Sequence, residues 1–183
     1  KDKNIISYKG KPLIYHSILT ALQSKFINKV VVSTDSKKYQ KISIKFGAEV
    51  PFLRPDNISQ DLSTDLECIQ HCVSFLRDNQ NYEYDIILHL RPTSPLRKIQ
   101  DIDNALDLFI KNNQYYDSLR SIIPIDKSPY KMYSIQEEHL NPLFNNVNNI
   151  GEPYNQPRQI LPQCYLHNGY IDILNTSILS QNT

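Results

Sequence analysis

The chain has 183 residues, of which 40% are hydrophobic and 21% charged, and its formal net charge is +1 at pH 7. This length fits one domain with room for a sizeable core. The near-neutral charge argues against nucleic acid as a partner, and no apolar run approaches the ~20 residues of a membrane span. Three scattered cysteines are too few for a disulfide framework, which favours a cytoplasmic location.

Hydrophobic periodicity predicts alternating helices and strands in the first part of the chain. A helical stripe begins at Leu13, and the β-branched run at residues 29–34 predicts a buried parallel strand. Ser36 can cap the next helix, Gly47 ends it, and residues 48–53 form a weaker strand. The alternation predicts an α/β fold with a mainly parallel sheet and helices on both faces.

The same pattern continues towards residue 125. Thr64, Asp65, Leu66 and Glu67 match a capping box and open a helix. Residues 85–90 read as a buried strand, and a helix with an apolar face over residues 102–110 follows. A further strand is expected at residues 119–125, and a last strand at 170–174 returns to the sheet.

Residues 126–163 break this alternation. They show no long helical period and are rich in proline, asparagine and tyrosine. Their tyrosines and scattered large apolar residues argue against disorder. We therefore expect an inserted arm that packs on another surface, for which a second subunit is a good candidate.

Several common catalytic patterns are absent from the sequence. It contains no dinucleotide-binding G-x-G-x-x-G, no P-loop, no H-E-x-x-H and no G-x-S-x-G. Cys68, His71 and Cys72 lie within one helical turn, but further zinc ligands at matching spacing are not evident. Small core residues on a buried helix face explain these positions better, so no metal site is predicted.

The loop at residues 91–97 follows the strand at 85–90 and is stiffened by two prolines. Ligands of open α/β sheets bind outside the carboxyl ends of the strands, and guanidinium groups suit an anionic ligand. An ordinary strand-to-helix connection with solvated arginines explains the pattern about equally well. The polar side chains of the loop are Arg91, Thr93, Ser94 and Arg97.

Other polar residues are expected at the ends of predicted elements. A nucleotide or sugar-phosphate site would form if these cations and a helix N-terminus met at one crevice, because backbone N–H groups at a helix start bind phosphate. Taken singly, a capping box usually only caps and a surface lysine is usually solvated. These residues are Lys3, Asn4, Arg54, Ser63 and Thr64.

An ordered series of motifs across nearly the whole chain resembles the acylneuraminate cytidylyltransferase family. The most specific of them is Arg91-Pro92-Thr93-Ser94-Pro95-Leu96-Arg97. The others are Lys3-Asn4-Ile5, Gly10-Lys11-Pro12-Leu13-Ile14, Val31-Val32-Ser33-Thr34-Asp35, Phe46-Gly47-Ala48, Arg54-Pro55, Asp61-Leu62-Ser63-Thr64, Pro157-Arg158-Gln159 and Asn168-Gly169.

The resemblance implies a Rossmann-like nucleotide-diphospho-sugar transferase fold. Residues 1–183 would form a single cytidylyltransferase domain, with residues 126–163 as a dimerisation and substrate arm of a homodimer. The implied reaction joins CTP to a sialic-acid-like nonulosonic acid and releases pyrophosphate. Mg²⁺ is implied as the cofactor, with ligands outside this chain.

The resemblance also implies roles for individual residues, although it assigns no catalytic residue. Some of the sugar contacts would be made across the dimer. The implied nucleotide-binding residues are Lys3, Asn4, Arg54, Ser63, Arg91, Thr93 and Ser94. The implied sugar-acid-binding residues are Lys131, Arg158, Gln159 and Asn168.

Departures from the family pattern keep alternatives open. The chain begins after the family's nucleotide loop and ends before its metal-binding aspartates, which suggests a fragment. Arg91 stands where sialic-acid enzymes often have glutamine, and Asp172 where some have tyrosine, which suggests another substrate such as a legionaminic-type sugar. The alternatives are a Kdo-type or other sugar nucleotidyltransferase, and a catalytically inactive dimerising fragment of this fold.

Overall fold

A computed structural model describes residues 2–180. Its α-helices span Leu13–Leu22 (α1), Lys37–Lys45 (α2), Asp65–Gln80 (α3) and Ile99–Asn112 (α4). Its strands are Ser7–Tyr8 (β1), Lys11–Pro12 (β2), Ile86–His89 (β3), Ser118–Pro124 (β4), Tyr133–Gln136 (β5), His139–Pro142 (β6), Asn146–Val147 (β7), Ile150–Gly151 (β8) and Tyr165–Asn175 (β9). Short 3₁₀ helices include Lys3–Ile5, Asp56–Ile58, Pro129–Lys131, Pro153–Asn155, Arg158–Ile160 and Thr176–Ser180.

The chain divides into two compact units. The first contains the residues up to Arg120 and those from Gly169 onwards, and the second is Ser121–Asn168. The second unit encloses the predicted arm at residues 126–163. The dimerisation role of that arm, and the assignment of residues 1–183 to one domain, stay predictions.

Strand pairing confirms the α/β class and changes one detail of the prediction. The main sheet has the order β3-β9-β4, and β3 pairs antiparallel with β9, with Leu88 opposite Ile173. A parallel neighbour would require a crossover connection, whereas β9 follows the short strands and 3₁₀ helices of residues 129–160 and no α-helix lies between β4 and β9. The expected parallel pairing of residues 29–34 with residues 48–53 is limited to a bridge between Val31 and Glu49.

Two apolar clusters form the core of the first unit. The larger packs Ile102, Leu106 and Phe109 of α4 against Ile171 and Ile173 of β9. These α4 residues are at most 4% exposed, which confirms most of the predicted helical stripe. The smaller cluster joins Ile14 and Ile18 of α1 to Ala48, with Val30 and Val32 packed against them.

Helix boundaries follow the predicted local signals. The Ser36 hydroxyl caps α2 by accepting from the Tyr39 backbone N–H. Thr64 and Glu67 form the complete capping box of α3, in which the Glu67 carboxylate accepts from the Thr64 backbone N–H at 2.6 Å. The Thr64 hydroxyl accepts in return from the Glu67 N–H at 3.2 Å.

Gly47 lies just beyond α2 in the left-handed region, with φ of +93°. A Cβ atom there would lie 3.1 Å from Leu22 Cδ1, whereas one at Gly151 would meet nothing within 4 Å. We expect Gly47→Ala to lower the free energy of unfolding by about 1–2 kcal/mol, because it adds backbone strain and a close contact. Urea denaturation measures this, with Gly151→Ala as the matched control. Equal effects of the two substitutions would contradict this role for Gly47.

The second unit is built from short β-structure. β5 pairs antiparallel with β6 and β7 with β8, so the unit contains two hairpins. The Ile125 N–H donates to the Cys164 carbonyl at 3.2 Å, and the rings of Tyr130 and Phe144 meet with centroids 5.2 Å apart. This segment is therefore folded, as its tyrosines and large apolar residues predicted.

Candidate functional site

A cleft of about 680 Å³ opens in the first unit. Residues 30–34, β3 and α3 line it, together with the loop that follows β3. A set of polar lining residues comes from the ends of several elements: Asn4, Ser33, Thr34, Arg54, Asp65 and Arg91.

Contacts between these polar residues show that they gather in one region. The Arg54 N–H donates to the Thr34 carbonyl at 2.8 Å, and Arg54 Nη1 lies 3.1 Å from Cys68 Sγ, one turn along α3 from Asp65. Asp65 in turn forms an ion pair with Arg91. The end of residues 30–34, the start of α3 and the loop after β3 therefore converge on one side of the cleft.

Three polar atoms of cleft-lining residues are buried without hydrogen-bond partners among residues 2–180: Asn4 Oδ1, Ser33 Oγ and Tyr84 Oη. An unsatisfied buried polar atom costs about 1–3 kcal/mol, so native proteins usually pair such atoms with protein, water or ligand. Because all three residues line the cleft, a polar ligand there can supply the missing hydrogen bonds.

Arg91 is held between two carboxylates rather than projecting freely. Its Nη2 bonds Asp65 and its Nη1 bonds Asp172, which is 7% exposed. Burial tends to lower the pKa of Arg91, but the bonds to Asp172 and Asp65 outweigh it and raise that pKa. Gly169, with φ of +63°, leaves room for the side chain, since a Cβ there would lie 3.4 Å from Arg91 Nη1.

Arg97 is buried, so its guanidinium is neither turned to a ligand nor solvated, which were the two alternatives that the loop sequence left open. The side chain is 6% exposed. It donates to the backbone carbonyls of Tyr170, Ser94, Arg91 and Gly169 and to the Ser17 hydroxyl. Burial lowers the pKa of Arg97 to about 10. Arg97 therefore ties the loop after β3 to β9 and α1.

A family model described as cytidylyltransferase matches residues 1–157. This chain belongs to the cytidylyltransferase family. Among curated relatives, a CMP-N,N'-diacetyllegionaminic acid synthase of Legionella pneumophila is 37% identical over 139 residues, which cover 74% of this chain and 57% of the relative. A pseudaminic acid cytidylyltransferase of Campylobacter jejuni is 33% identical over 144 residues, which cover 75% of this chain and 62% of the relative.

A solved structure supports the family fold. The chain matches a CMP:2-keto-3-deoxy-manno-octonic acid synthetase complexed with CTP, with a TM-score of 0.66 and 18% identity, over 97% of this chain and 68% of that one. The Rossmann-like nucleotidyltransferase fold is thereby confirmed. This cytidylyltransferase chain spans about three fifths of the length of the two curated relatives, at 57% and 62%.

The predicted nucleotide-binding residues of this cytidylyltransferase chain fall into two groups. Asn4, Arg54 and Arg91 line the cleft. The Ser63 hydroxyl accepts from the Gln60 N–H at 2.9 Å in the loop before α3. The predicted residues that are not among those lining the cleft are Lys3, Ser63, Thr93 and Ser94. The binding role of all seven stays a prediction.

The predicted sugar-acid-binding residues all lie in the second unit. Lys131 Nζ donates to the Tyr154 carbonyl at 3.1 Å. Arg158 and Gln159 are exposed in the 3₁₀ helix Arg158–Ile160. Asn168 Oδ1 accepts from the Ser121 hydroxyl at 2.7 Å. Their role towards a sugar acid stays a prediction.

Sequence reasoning missed Ser33 and His89 as members of the cleft wall, and it treated Asp65 only as part of a capping box. All three line the cleft. A histidine at the end of an otherwise apolar strand was an available signal, but it was assigned to the buried strand alone.

Metal-ligating residues do not cluster in the described part of this chain. Within residues 2–180, no three histidine, cysteine, aspartate or glutamate residues stand close enough to hold an ion. The His71 ring packs edge-on against the Phe52 ring, with the two ring centroids 4.6 Å apart. Burial raises the pKa of the Cys72 thiol to about 11. No helix among these residues is both long and apolar enough to cross a bilayer.

Burial lowers the pKa of His89, which faces Asp65, Arg91, Asp172 and Arg97. The unfolded chain therefore binds a proton more readily than the folded one when the pH falls below the ordinary value of 6.5. We expect the contribution of His89 to the free energy of unfolding to be complete above that pH. This contribution should fall by up to about 1.4 kcal/mol per pH unit as the pH drops towards the folded-state pKa. Urea denaturation across pH 5–8 measures this. His89→Gln should flatten the slope, and an unchanged slope would contradict the assignment.

Proposed function

We propose that this chain is the core of a CTP-dependent cytidylyltransferase that activates a nonulosonic acid. The anomeric hydroxyl of the sugar acid attacks the α-phosphate of CTP and forms a new P–O bond. The bond between the α- and β-phosphates breaks, pyrophosphate leaves, and the hydroxyl proton passes to solvent or a nearby base. The family match over residues 1–157 carries this proposal.

The cleft supplies groups that suit the nucleotide. Asn4 Oδ1 and Ser33 Oγ are buried without partners in the described part of the chain, and they can hydrogen-bond polar atoms of a nucleotide. Arg54 and Arg91 line the same cleft and offer fixed donors to phosphate oxygens. Such positioning and fixed positive charge account for much of the rate in phosphoryl transfer. In this proposal Lys3, Ser63, Thr93 and Ser94 complete the nucleotide contacts.

A nonulosonic acid is favoured as the second substrate by the names of the two curated relatives, which are a legionaminic acid synthase and a pseudaminic acid cytidylyltransferase. Arg91 and Asp172, which depart from the pattern of sialic-acid enzymes, form an ion pair with each other. This pairing supports a bacterial sugar acid other than plain sialic acid. Lys131, Arg158, Gln159 and Asn168 bind it in this proposal, with Arg158 on the carboxylate.

Cytidylyltransferases of this family generally use a divalent metal ion, and magnesium is the ion proposed here. The residues described do not fit a complete site, since Asp65 and Asp172 both bond Arg91. No step of the mechanism is therefore assigned to a metal held by these residues. The proposal also includes a homodimer joined through residues 126–163 and a cytoplasmic location, where CTP is available.

Nuclear magnetic resonance tests the nucleotide site directly. CTP titrated into the ¹⁵N-labelled protein should shift the amide signals of Asn4, Ser33 and Arg54, whereas UTP at equal concentration should shift them less. Shifts confined to residues outside the cleft, or equal responses to both nucleotides, would contradict the proposed site.

Arg158→Ala is expected to raise the KM for the sugar acid about 10–100-fold, because a charge-assisted hydrogen bond contributes about 1.5–3 kcal/mol. CTP affinity should stay within about twofold of the unsubstituted protein, since the loss affects the second substrate only. Steady-state pyrophosphate release measures the first quantity, and calorimetry the second. Lys127→Ala, at another exposed cation of the same unit, serves as control. Loss of affinity for both substrates would assign Arg158 a structural role instead.

A further inference from the structure

Charged residues are distributed unevenly along the chain. Residues 1–54 contain eleven lysine or arginine residues and three acidic residues, whereas residues 55–183 contain nine and sixteen. The net charge of +1 is therefore the sum of a strongly basic first part and an acidic remainder. Charge asymmetry of this kind points to an anionic partner for the basic part.

Helix α2 concentrates the cations of the first part on its solvent face. Its nine residues include four lysines and no aspartate or glutamate. Lys37, Lys41 and Lys45 are spaced four residues apart, so they form one row along the helix, and Lys38 lies beside that row. All four are exposed, whereas Ser43 on the opposite side of the helix is 0% exposed. The exposed face of α2 is therefore positively charged along its whole length.

This arrangement of charge works against the stability of α2. Lys37 and Lys38 occupy the first turn, where the helix dipole disfavours positive charge. Like charges spaced four residues apart also repel each other. On α4, by contrast, Lys111 forms an ion pair at 2.7 Å with Asp107, four residues before it. A helix face that is merely solvated is expected to mix its charges as α4 does, so the single sign on α2 indicates a binding role.

Neighbouring residues extend this charged face beyond α2. Lys11 Nζ lies 5.9 Å from the centroid of the Phe46 ring, which directly follows the helix. Lys9 lies in the turn between β1 and β2, and both of these lysines are exposed. On α2 itself, the side chain of Ile44 is 54% exposed next to the lysine row. The surface therefore combines several cations with an exposed aliphatic side chain.

We propose that this surface, the basic face, docks peripherally on a bilayer that contains anionic phospholipid. The lysine ammonium groups lie among the headgroup phosphates, and the Ile44 side chain contacts the boundary of the acyl chains. This inference concerns where the protein binds and goes beyond the proposed reaction. The residues of the basic face are Lys9, Lys11, Lys37, Lys38, Lys41, Ile44 and Lys45.

Three observations favour a bilayer over nucleic acid or an acidic protein as the partner. Every cation of the basic face is a lysine, whose flexible point charge suits a diffuse surface charge, whereas the planar fork of arginine suits fixed phosphates and carboxylates. Single-stranded nucleic acid is bound by stacking on aromatic rings, but Tyr39, the aromatic residue of α2, uses its hydroxyl to bond Asp2 at 3.3 Å. The exposed Ile44 side chain gains an apolar environment in a bilayer.

Vesicle flotation tests the proposal on the 183-residue protein. The probes are large unilamellar vesicles of phosphatidylcholine alone and of phosphatidylcholine mixed with phosphatidylglycerol. We expect the protein to float with the anionic vesicles at about 0.1 M salt and not with the neutral ones. Raising the salt to about 1 M should release it, because the Debye length falls from about 10 Å to about 3 Å.

A triple variant of the lysine row makes the test specific to α2. Lys37→Gln, Lys41→Gln and Lys45→Gln together should lower partitioning onto anionic vesicles about 100-fold, because each lysine near such a surface contributes about fivefold. The thermal unfolding midpoint should not fall, since the substitutions remove repulsion within the helix. The matched control should change partitioning less than about threefold, and it removes the same charge from exposed lysines elsewhere: Lys98→Gln, Lys111→Gln and Lys127→Gln.

A further pair of variants tests the apolar contact. Ile44→Gln should lower partitioning about threefold or more, because it removes the side chain that reaches the acyl-chain boundary. Leu108→Gln, at a 57% exposed position of α4, serves as the control and should have no effect.

Several results would overturn the proposal. These are equal binding to neutral and anionic vesicles, binding to neither, and equal losses in the two triple variants. Binding of labelled RNA or polyglutamate through the lysine row without binding to vesicles would also overturn it and would assign a different class of partner. CTP binding at the cleft is measured separately, so the proposed function stands or falls independently of these results.

Discussion

Replacing Arg97 by alanine is expected to lower the free energy of unfolding by about 3–5 kcal/mol, the range for breaking buried charged networks. The substitution removes five hydrogen bonds and leaves the carbonyls of Tyr170, Ser94, Arg91 and Gly169 without this donor. These carbonyls belong to the loop after β3 and to β9, so the loop should lose its fixed conformation as well. Urea denaturation followed by circular dichroism measures the change.

Two further variants make the Arg97 prediction specific. Lys98→Ala changes the adjacent, exposed cation and should alter stability by less than about 0.5 kcal/mol. Arg97→Lys keeps the charge but not the planar fork of donors, so most of the loss should remain. If Arg97→Ala and Lys98→Ala had similar effects, the network would not stabilise the fold as the hydrogen bonds indicate.

Replacing Arg91 by alanine is expected to weaken CTP binding about 10–100-fold, because a hydrogen bond to a charged group contributes about 1.5–3 kcal/mol. The substitution removes the cation that the cleft presents between Asp65 and Asp172. The two carboxylates then leave uncompensated negative charge, which repels the triphosphate. Isothermal titration calorimetry with CTP measures the affinity.

The matched control for Arg91 is again Lys98→Ala, which should bind CTP within about twofold of the unsubstituted protein. Arg91→Ala also removes one charged partner of the buried Asp172, whose Oδ1 lies 4.0 Å from Arg120 Nε. Some loss of stability is therefore expected, and affinity should be measured well below the unfolding midpoint. Equal CTP affinities of Arg91→Ala and Lys98→Ala would remove Arg91 from the nucleotide site.

Local sequence signals predicted the helices well because their causes are local. The capping box at Thr64 and Glu67, the Ser36 cap and the Gly47 terminus each depend on a few neighbouring residues. The apolar stripe of α4 likewise depends only on the spacing of residues within one helix. Such features need no knowledge of distant contacts, and they appeared where they were expected.

Features that depend on distant residues were harder to predict. Arg97 and Arg91 look alike in the loop sequence, yet Arg97 is buried by partners more than 70 residues away, whereas Arg91 lines the cleft. Asp65 read as a residue of a helix cap, and only the fold brings it to Arg91. Residues 29–34 have strong strand character but form one bridge within residues 2–180, because pairing depends on neighbouring strands that the local sequence does not specify.

The family membership followed from the order of motifs along the chain. Asn4, Arg54 and Arg91 are separated by many residues in sequence and line one cleft in the fold. Lys131, Arg158, Gln159 and Asn168 share the second unit. The sequence therefore predicted three of the cleft residues, whereas Ser33 and His89 were missed.

Formation of a CMP-sugar is the most direct test of the proposed function. The purified protein is incubated with CTP, magnesium and, in separate reactions, neuraminic, legionaminic, pseudaminic and Kdo acids, and pyrophosphate release is followed. We expect release with a nonulosonic acid, most rapidly with the legionaminic or pseudaminic type, and a CMP-sugar of matching mass in the same reaction. Saturable CTP binding with no release for any acid would contradict the catalytic proposal and favour an inactive member of the family.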